Sequence, residues 1–256
     1  MHKPTLLMLH GFRGTHHGLA KIAENLQNFE LVIPDLPGFG EGPIFEKYDI
    51  DTYVEWLRQL VEKYDKPYLL GHSFGSIVAA AYTAKYGDTI QKLILINPIG
   101  APALEGSRGA LTKLAVFYYQ VGKILPAGAA KTWLSSKPST LIMSKAMTKT
   151  KDKALQKYID DQHLQYFSSF HSAESVHQGF VTSVSNSVRN YAASIQTETL
   201  LIAGEKDDIT SIEKQRELAK MFRQATLVEI PDVGHLTHYE TPKEVAAAVQ
   251  AFIKSE

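Results

Sequence analysis

An α/β fold is what this chain predicts: a mainly parallel six-stranded sheet flanked by helices, with one large helical insertion. Three observations lead there. Short apolar runs rich in Leu, Ile and Val recur along the 256 residues, as in strands covered on both faces. Helical patterns with identifiable start signals separate them, which implies parallel strands and right-handed crossovers. The rhythm breaks once, where about a hundred residues lie between the fourth and fifth strands.

The strands are expected at Thr5–Leu9, Leu31–Ile33, Tyr68–Leu70, Leu93–Asn97, Thr199–Ala203 and Thr226–Ile230. Between the second and third, Thr52-x-x-Glu55 can form a capping box ahead of Val54, Leu57, Leu60 and Val61. After the third strand, Ser76 to Tyr82 reads as a small-residue helix. The long interval is helical, with Leu111, Leu114, Ala115 and Tyr118 at helical spacing, and again Leu155, Tyr158, Ile159 and Gln162–Tyr166. Prolines at 102, 126 and 138 punctuate it. This predicts a core of residues 1–100 and 189–256, with 101–188 as a helical cap over the C-terminal edge of the sheet. Thr210-x-x-Glu213 offers a second capping box. Thr241-Pro242-Lys243-Glu244 supplies an N-cap, a first-turn proline and a third-position glutamate.

Composition narrows the function classes. A 44% hydrophobic content is enough for one substantial core. Basic and acidic residues number 27 each, so no global field draws nucleic acid or anionic membrane. From 101 to 180, however, 10 basic residues face 5 acidic ones. That surplus reads first as a solvated helical surface, and second as a cap attracting an acidic substrate. Without cysteine there is no disulfide, thiolate metal site or cysteine nucleophile. Met1-His2-Lys3-Pro4 runs straight into the first strand, so no signal peptide is expected. No apolar stretch approaches the roughly 18 residues of a membrane span. A cytoplasmic protein is the expectation; oligomeric state is not legible.

Gly71-His72-Ser73-Phe74-Gly75 reads Gly-x-Ser-x-Gly between a strand and a helix. A serine in so sharp a turn exposes its hydroxyl at the top of the sheet. It also lies at a helix N-terminus that favours developing negative charge. A serine hydroxyl needs a base in reach, and the base needs an orienting carboxylate. Gly204-Glu205-Lys206-Asp207-Asp208 follows the fifth strand and Pro231-Asp232-Val233-Gly234-His235 the sixth, so both fall at the edge that holds Ser73.

These motifs, with His10-Gly11-Phe12 and Pro34-Asp35-Leu36-Pro37-Gly38-Phe39-Gly40 after the first two strands, give the chain its family likeness. It resembles an α/β-hydrolase fold enzyme of the serine hydrolase type with a helical cap. The resemblance covers nearly the whole chain outside the cap. It implies Ser73 as nucleophile, His235 as base and Asp207, rather than Asp208, as the acid. It further implies an oxyanion hole made of the backbone N–H groups of Phe12 and Phe74. Fuller members begin with an antiparallel hairpin. Only four residues precede Thr5, so a reduced sheet with one exposed edge is expected here.

The function implied is hydrolysis of small to medium, fairly apolar carboxylic esters, with no cofactor and no metal. The apolar preference rests on an aromatic cap and on the lack of a fixed charge beside the catalytic motifs. Serine at the turn argues against dehalogenases and epoxide hydrolases of this fold, which carry aspartate there. Carbon–carbon bond hydrolases of the meta-cleavage type, and small-molecule receptors with vestigial activity, are the alternatives. His72 and His238 read as packing residues, His163, His171 and His177 as surface or pocket-lining, and Asp35 as a turn stabiliser. The aromatics Phe117, Tyr118, Tyr119, Trp133, Tyr158, Tyr166, Phe167 and Phe170 read as cap packing or pocket lining.

Overall fold

A computed structural model describes residues 3–101 and 109–254. Met1, His2 and Pro102 lie outside the described residues, as do the side chains of Leu111 and Leu114. Six strands, β1 (Thr5–Leu9), β2 (Glu30–Val32), β3 (Tyr68–His72), β4 (Leu93–Ile96), β5 (Thr199–Gly204) and β6 (Ala225–Ile230), form one parallel sheet in the order β2-β1-β3-β4-β5-β6. The expected strands are all present, shifted by no more than two residues at any end. Strand β3 runs on through His72 because Gly71 and His72 still pair with Leu95 and Ile96.

Alternation along the strands builds two cores. Leu7, Leu9, Leu69 and Leu95 face α2 (Ile50–Val61) and α3 (Phe74–Tyr86). Leu6, Met8, Leu70 and Ile94 face the other way, onto α1 (Ala20–Ala23) and α11 (Pro242–Lys254), which follows the short α10 (Thr237–Glu240). Each such side chain, fully buried, stabilises the fold by about 2 kcal/mol. Helix α3 is buried almost throughout, and its alanines 79–81 let it lie close against the sheet. A charged residue at Ile77 or Val78 would therefore break the fold.

Two expected caps differ. Asp49, not Thr52, begins α2: its carboxylate accepts from the N–H and hydroxyl of Thr52, which sits inside the first turn. Aspartate takes the position because it satisfies a free first-turn N–H and favours the positive end of the helix. Thr210 is also displaced, because α9 (Ile212–Ala219) starts after Ser211. Pro242 does open α11.

Between β4 and β5 run α4 (Gly109–Ile124), α5 (Ala127–Leu134), α6 (Lys137–Met147), α7 (Lys153–Tyr166) and α8 (Ala173–Ser185). Asp152 caps α7 through Ala154 and Leu155, and Ser172 caps α8 in a reciprocal box with Ser175. The segment is anchored on the loop after β2. Phe39 and Phe170 form an antiparallel bridge, Gly40 donates to Ser169, and Thr182 donates to the Tyr48 carbonyl. Asp35 holds that loop by accepting from the backbone N–H groups of His16 and Glu41, the turn role its position predicts.

Candidate active site

Ser73 follows β3 with φ 51° and ψ −116°, a strained conformation for a residue with a side chain. Its surroundings enforce it. A Cβ at Gly75 would come within 2.6 Å of the carbonyls of Leu9 and His10, and one at Gly71 would collide with the Gly75 backbone. Only glycine at both positions lets the chain turn this tightly between strand and helix. Ser73 N–H donates to Ile96, which fastens the turn to β4.

His235 lies beyond β6, five residues past Ile230, and is buried. Its Nδ1 is 2.7 Å from Asp207 Oδ2, and its Nε2 is 2.8 Å from Ser73 Oγ. A carboxylate can only accept, so Nδ1 carries the proton and Nε2 is free to accept from the serine hydroxyl. Asp207 stands just past β5 and is also buried. It accepts from the N–H groups of Ile209 and Thr210 and from the Thr210 hydroxyl at 2.7 Å. Burial alone would raise its carboxyl pKa. Electrostatic attraction to His235 and the hydrogen bonds from His235 and Thr210 outweigh that and hold it below the usual value. Asp208 turns outward to an ion pair with Lys149. The structure thus brings Asp207, not its neighbour, to His235.

Asn97 ties the two loops together, a part that its sequence position did not announce. It adopts φ 43° and is fully buried. Its Nδ2 donates to the Gly234 carbonyl at 3.1 Å, and its Oδ1 accepts from Gly204 N–H at 3.2 Å. Gly204 leads to Asp207 and Gly234 precedes His235. The signal that could have revealed it is an asparagine, tolerant of positive φ, closing a buried strand ahead of Pro98.

The loop after β1 lies against the serine. A Cβ at Gly11 would approach Ser73 Cβ to 3.3 Å. His10 fixes this loop as a neutral imidazole: Nδ1 donates to Gly11 O and Nε2 accepts from Leu36 N–H. Burial holds its pKa low. The Phe12 ring packs edge-on against Phe39, Phe74 and Tyr119. Phe74 opens α3, where a first-turn N–H has no acceptor one turn back.

Arg13 corrects the expectation that no fixed charge stands near these motifs. It is 1% exposed, with φ 56°. Its Nε donates to Phe167 O at 3.1 Å and its Nη2 to Leu134 O at 2.7 Å. The guanidinium also sits over the Phe167 ring, 3.9 Å from its centroid. Phe167 and Leu134 end α7 and α5, so two negative helix termini face this cation.

The remaining histidines divide. His72 and His238 are buried, with ring centroids 4.1 Å apart, behind His235. Burial, then electrostatic repulsion from His235, pushes His72 down to about 3. His163 packs against Phe167 and Tyr239, and burial lowers it to about 4. His171 reaches Gly42 O at 2.8 Å, His16 reaches Asp35 and His17 stacks on Tyr166. Phe117, placed by sequence in packing or pocket, does neither and is exposed. An open cleft of about 430 Å³ adjoins Asp207, Asp208 and Lys149, but neither Ser73 nor His235 lines it. We therefore do not read it as the substrate pocket.

A family model described as alpha/beta hydrolase fold matches residues 4–242. Lipase 3 of Moraxella sp. (strain TA144) is 25% identical over 263 residues, covering 96% of this chain and 76% of that protein. Lipase 1 of Psychrobacter immobilis is 26% identical over 262 residues, with the same coverage of 96% and 76%. Among solved structures, an alpha/beta hydrolase enzyme from a Medee basin deep-sea metagenome library is similar, with a TM-score of 0.81 at 22% identity. That match covers 99% of this chain and 90% of the other.

Proposed function

The chain belongs to the α/β-hydrolase fold family, and on that premise we propose a serine hydrolase that cleaves carboxylic esters of small to medium, fairly apolar acyl groups. Residues 101–188 act as its helical cap, and 1–100 with 189–256 as its core. The observation that carries the reading is the hydrogen-bonded line from Ser73 through His235 to Asp207, at 2.8 and 2.7 Å. The two lipases named above support the reaction class.

In the proposed reaction Ser73 Oγ attacks the ester carbonyl while His235 Nε2 takes its proton. Asp207 holds the tautomer and stabilises the imidazolium that forms. The N–H groups of Phe12 and Phe74 receive the oxyanion, and each such donor is worth about 3 kcal/mol in the transition state. His235 then returns the proton to the leaving alcohol. Water, activated by the same imidazole, releases the acyl group from Ser73. The guanidinium of Arg13 is engaged by two carbonyls, and aromatic rings of Phe12, Phe74, Tyr119 and Phe180 pack around this loop. An apolar acyl group suits this setting. A cytoplasmic setting is part of it, compatible with the balanced charge and with the lack of a helix, among the described residues, long and apolar enough to cross a membrane.

The test is turnover of a short p-nitrophenyl ester, with covalent labelling by a fluorophosphonate. Ser73→Ala is expected to abolish labelling and to lower kcat by at least about 10⁴-fold. An unlabelled wild-type protein, or turnover that survives Ser73→Ala, would overturn the reading.

A further inference from the structure

From Gly106 to Lys151 the chain holds no aspartate or glutamate, against eight lysines and arginines. Six of these, all lysines, lie between 115 and 151. Lys149 is paired with Asp208. Lys123, Lys131, Lys137 and Lys145 are exposed and make no ion pair with another of the described residues. An ordinary solvated helical face mixes both signs. This one is cationic throughout.

The same helices leave large apolar side chains in water. Phe117 is 62% exposed, Ile124 78%, Ile142 71% and Trp133 39%. With Val181 of α8, they are five of the seven large apolar side chains exposed among the described residues. Their placement is regular. Phe117 and Ile124 are seven apart on α4 and share one face, and Pro138, Ile142 and Lys145 share one face of α6. Helices α4 and α5 are held together at this surface, since Trp133 Nε1 donates to Tyr118 O and the two rings lie 5.4 Å apart.

We infer that α4, α5 and the exposed face of α6 form a docking surface for an anionic phospholipid layer. The match is one of chemistry. Aromatic and aliphatic side chains enter the boundary between headgroups and acyl chains, while lysines around them meet the anionic headgroups. A purely solvated role accounts for the lysines but not for the apolar side chains. A second copy of this chain would bring cationic faces together without a counter-charge. Docking itself is independent of the ester chemistry. Its consequence, that the substrate is an ester drawn from the lipid layer, rests on the function proposed above.

Co-sedimentation of the full chain with vesicles tests this. Phosphatidylcholine vesicles are compared with phosphatidylcholine vesicles containing phosphatidylglycerol, at matched lipid and low salt. Partitioning is expected to be at least about tenfold stronger on the anionic vesicles and to collapse at about 1 M salt, where screening shortens to roughly 3 Å. Lys131→Gln with Lys137→Gln should lower it on the order of tenfold. Phe117→Ser with Ile124→Ser should lower it independently and leave salt dependence in place. Both pairs should keep wild-type turnover of a soluble p-nitrophenyl ester, so loss of docking and failure of the esterase reading are separable. No partitioning of the wild type, equal partitioning on neutral vesicles, or binding that survives both pairs would overturn the inference. So would a dimer in sedimentation velocity that the Phe117 and Ile124 substitutions dissociate, which would assign the face to a second copy.

Discussion

Arg13 donates through Nη2 to the carbonyl of Leu134, 2.7 Å away, fastening the loop after β1 to the end of α5. Its Nε does the same for Phe167 at the end of α7. The residue before it, Phe12, offers the proposed oxyanion N–H. Arg13→Ala is therefore expected to cost about 3 kcal/mol of stability, through two lost charge-assisted bonds. It should also lower kcat on the order of tenfold with little change in KM, because the oxyanion donor acts only in the transition state. Arg13→Lys should recover less than half of either loss, since an ammonium cannot span both carbonyls as a planar fork does. Urea melts and steady-state kinetics measure both. Unchanged kcat beside lost stability would leave Arg13 a strut alone.

Asn97 yields a second prediction. Its side chain joins Gly204 to Gly234, and hence the acid loop to the base loop. Asn97→Ala removes both bonds and leaves a residue with a Cβ at φ 43°. The expected loss is about 3 kcal/mol, from two buried bonds and a strained backbone. Asn97→Gly separates the two causes: it relieves the strain but not the lost bonds, and should recover about 1 kcal/mol while kcat stays depressed. If Asn97→Gly regains full activity, the side-chain bridge is irrelevant to catalysis.

What the sequence made legible follows from where the information is local. Ser73, Asp207 and His235 each sit within five residues of a strand end and within three of a glycine, so strand ends alone bring them to one edge. Arg13 sits just as close to a strand end. Its partners, however, are carbonyls more than a hundred residues away, and no spacing encodes those. The cap at Asp49 is hidden for the opposite reason. Asp49, Asp51 and Thr52 are all competent caps, and only the backbone decides which side chain meets a free N–H. Phe117 shows the same limit for burial: helical spacing says which residues share a face, not whether anything covers it.

The buried histidines predict acid sensitivity. His72, at about 3, and His163, at about 4, bind protons less readily folded than unfolded, where about 6.5 is usual. Above about pH 6.5 both states are neutral and stability is unaffected. As pH falls below that, the unfolded chain takes up protons first and stability drops, by at most about 1.4 kcal/mol per pH unit for each group. His238, driven down by burial and by His72, adds to the slope. Urea midpoints should therefore fall steeply from about pH 6.5 to about pH 4, and His72→Gln should flatten the curve. A level profile across that window would refute the neutral, buried assignment.

Thr210 gives the sharpest test of the acid. Its hydroxyl donates to Oδ2 of Asp207, the same oxygen that holds His235 Nδ1. Two donors on one oxygen fix the plane of the carboxylate, and with it the direction in which the imidazole presents Nε2 to Ser73. Thr210→Val preserves shape but leaves Oδ2 with one donor. It should lower kcat several-fold and leave KM nearly unchanged, while Thr210→Ser restores the wild-type rate. The Asp207 carboxyl, held below its usual pKa partly by Thr210, should rise toward it. The stabilisation it contributes is present above the unfolded value and lost as pH falls through the folded one, so the variant loses it at higher pH. A structural role for Thr210 in starting α9 would give the same rate loss, and a double-mutant cycle distinguishes the two. In an Asp207→Asn background the oxygen no longer carries charge, so Thr210→Val should cost little further. The coupling between the sites is expected at about 1 kcal/mol. If the two substitutions add, Thr210 acts on the helix and not through the carboxylate.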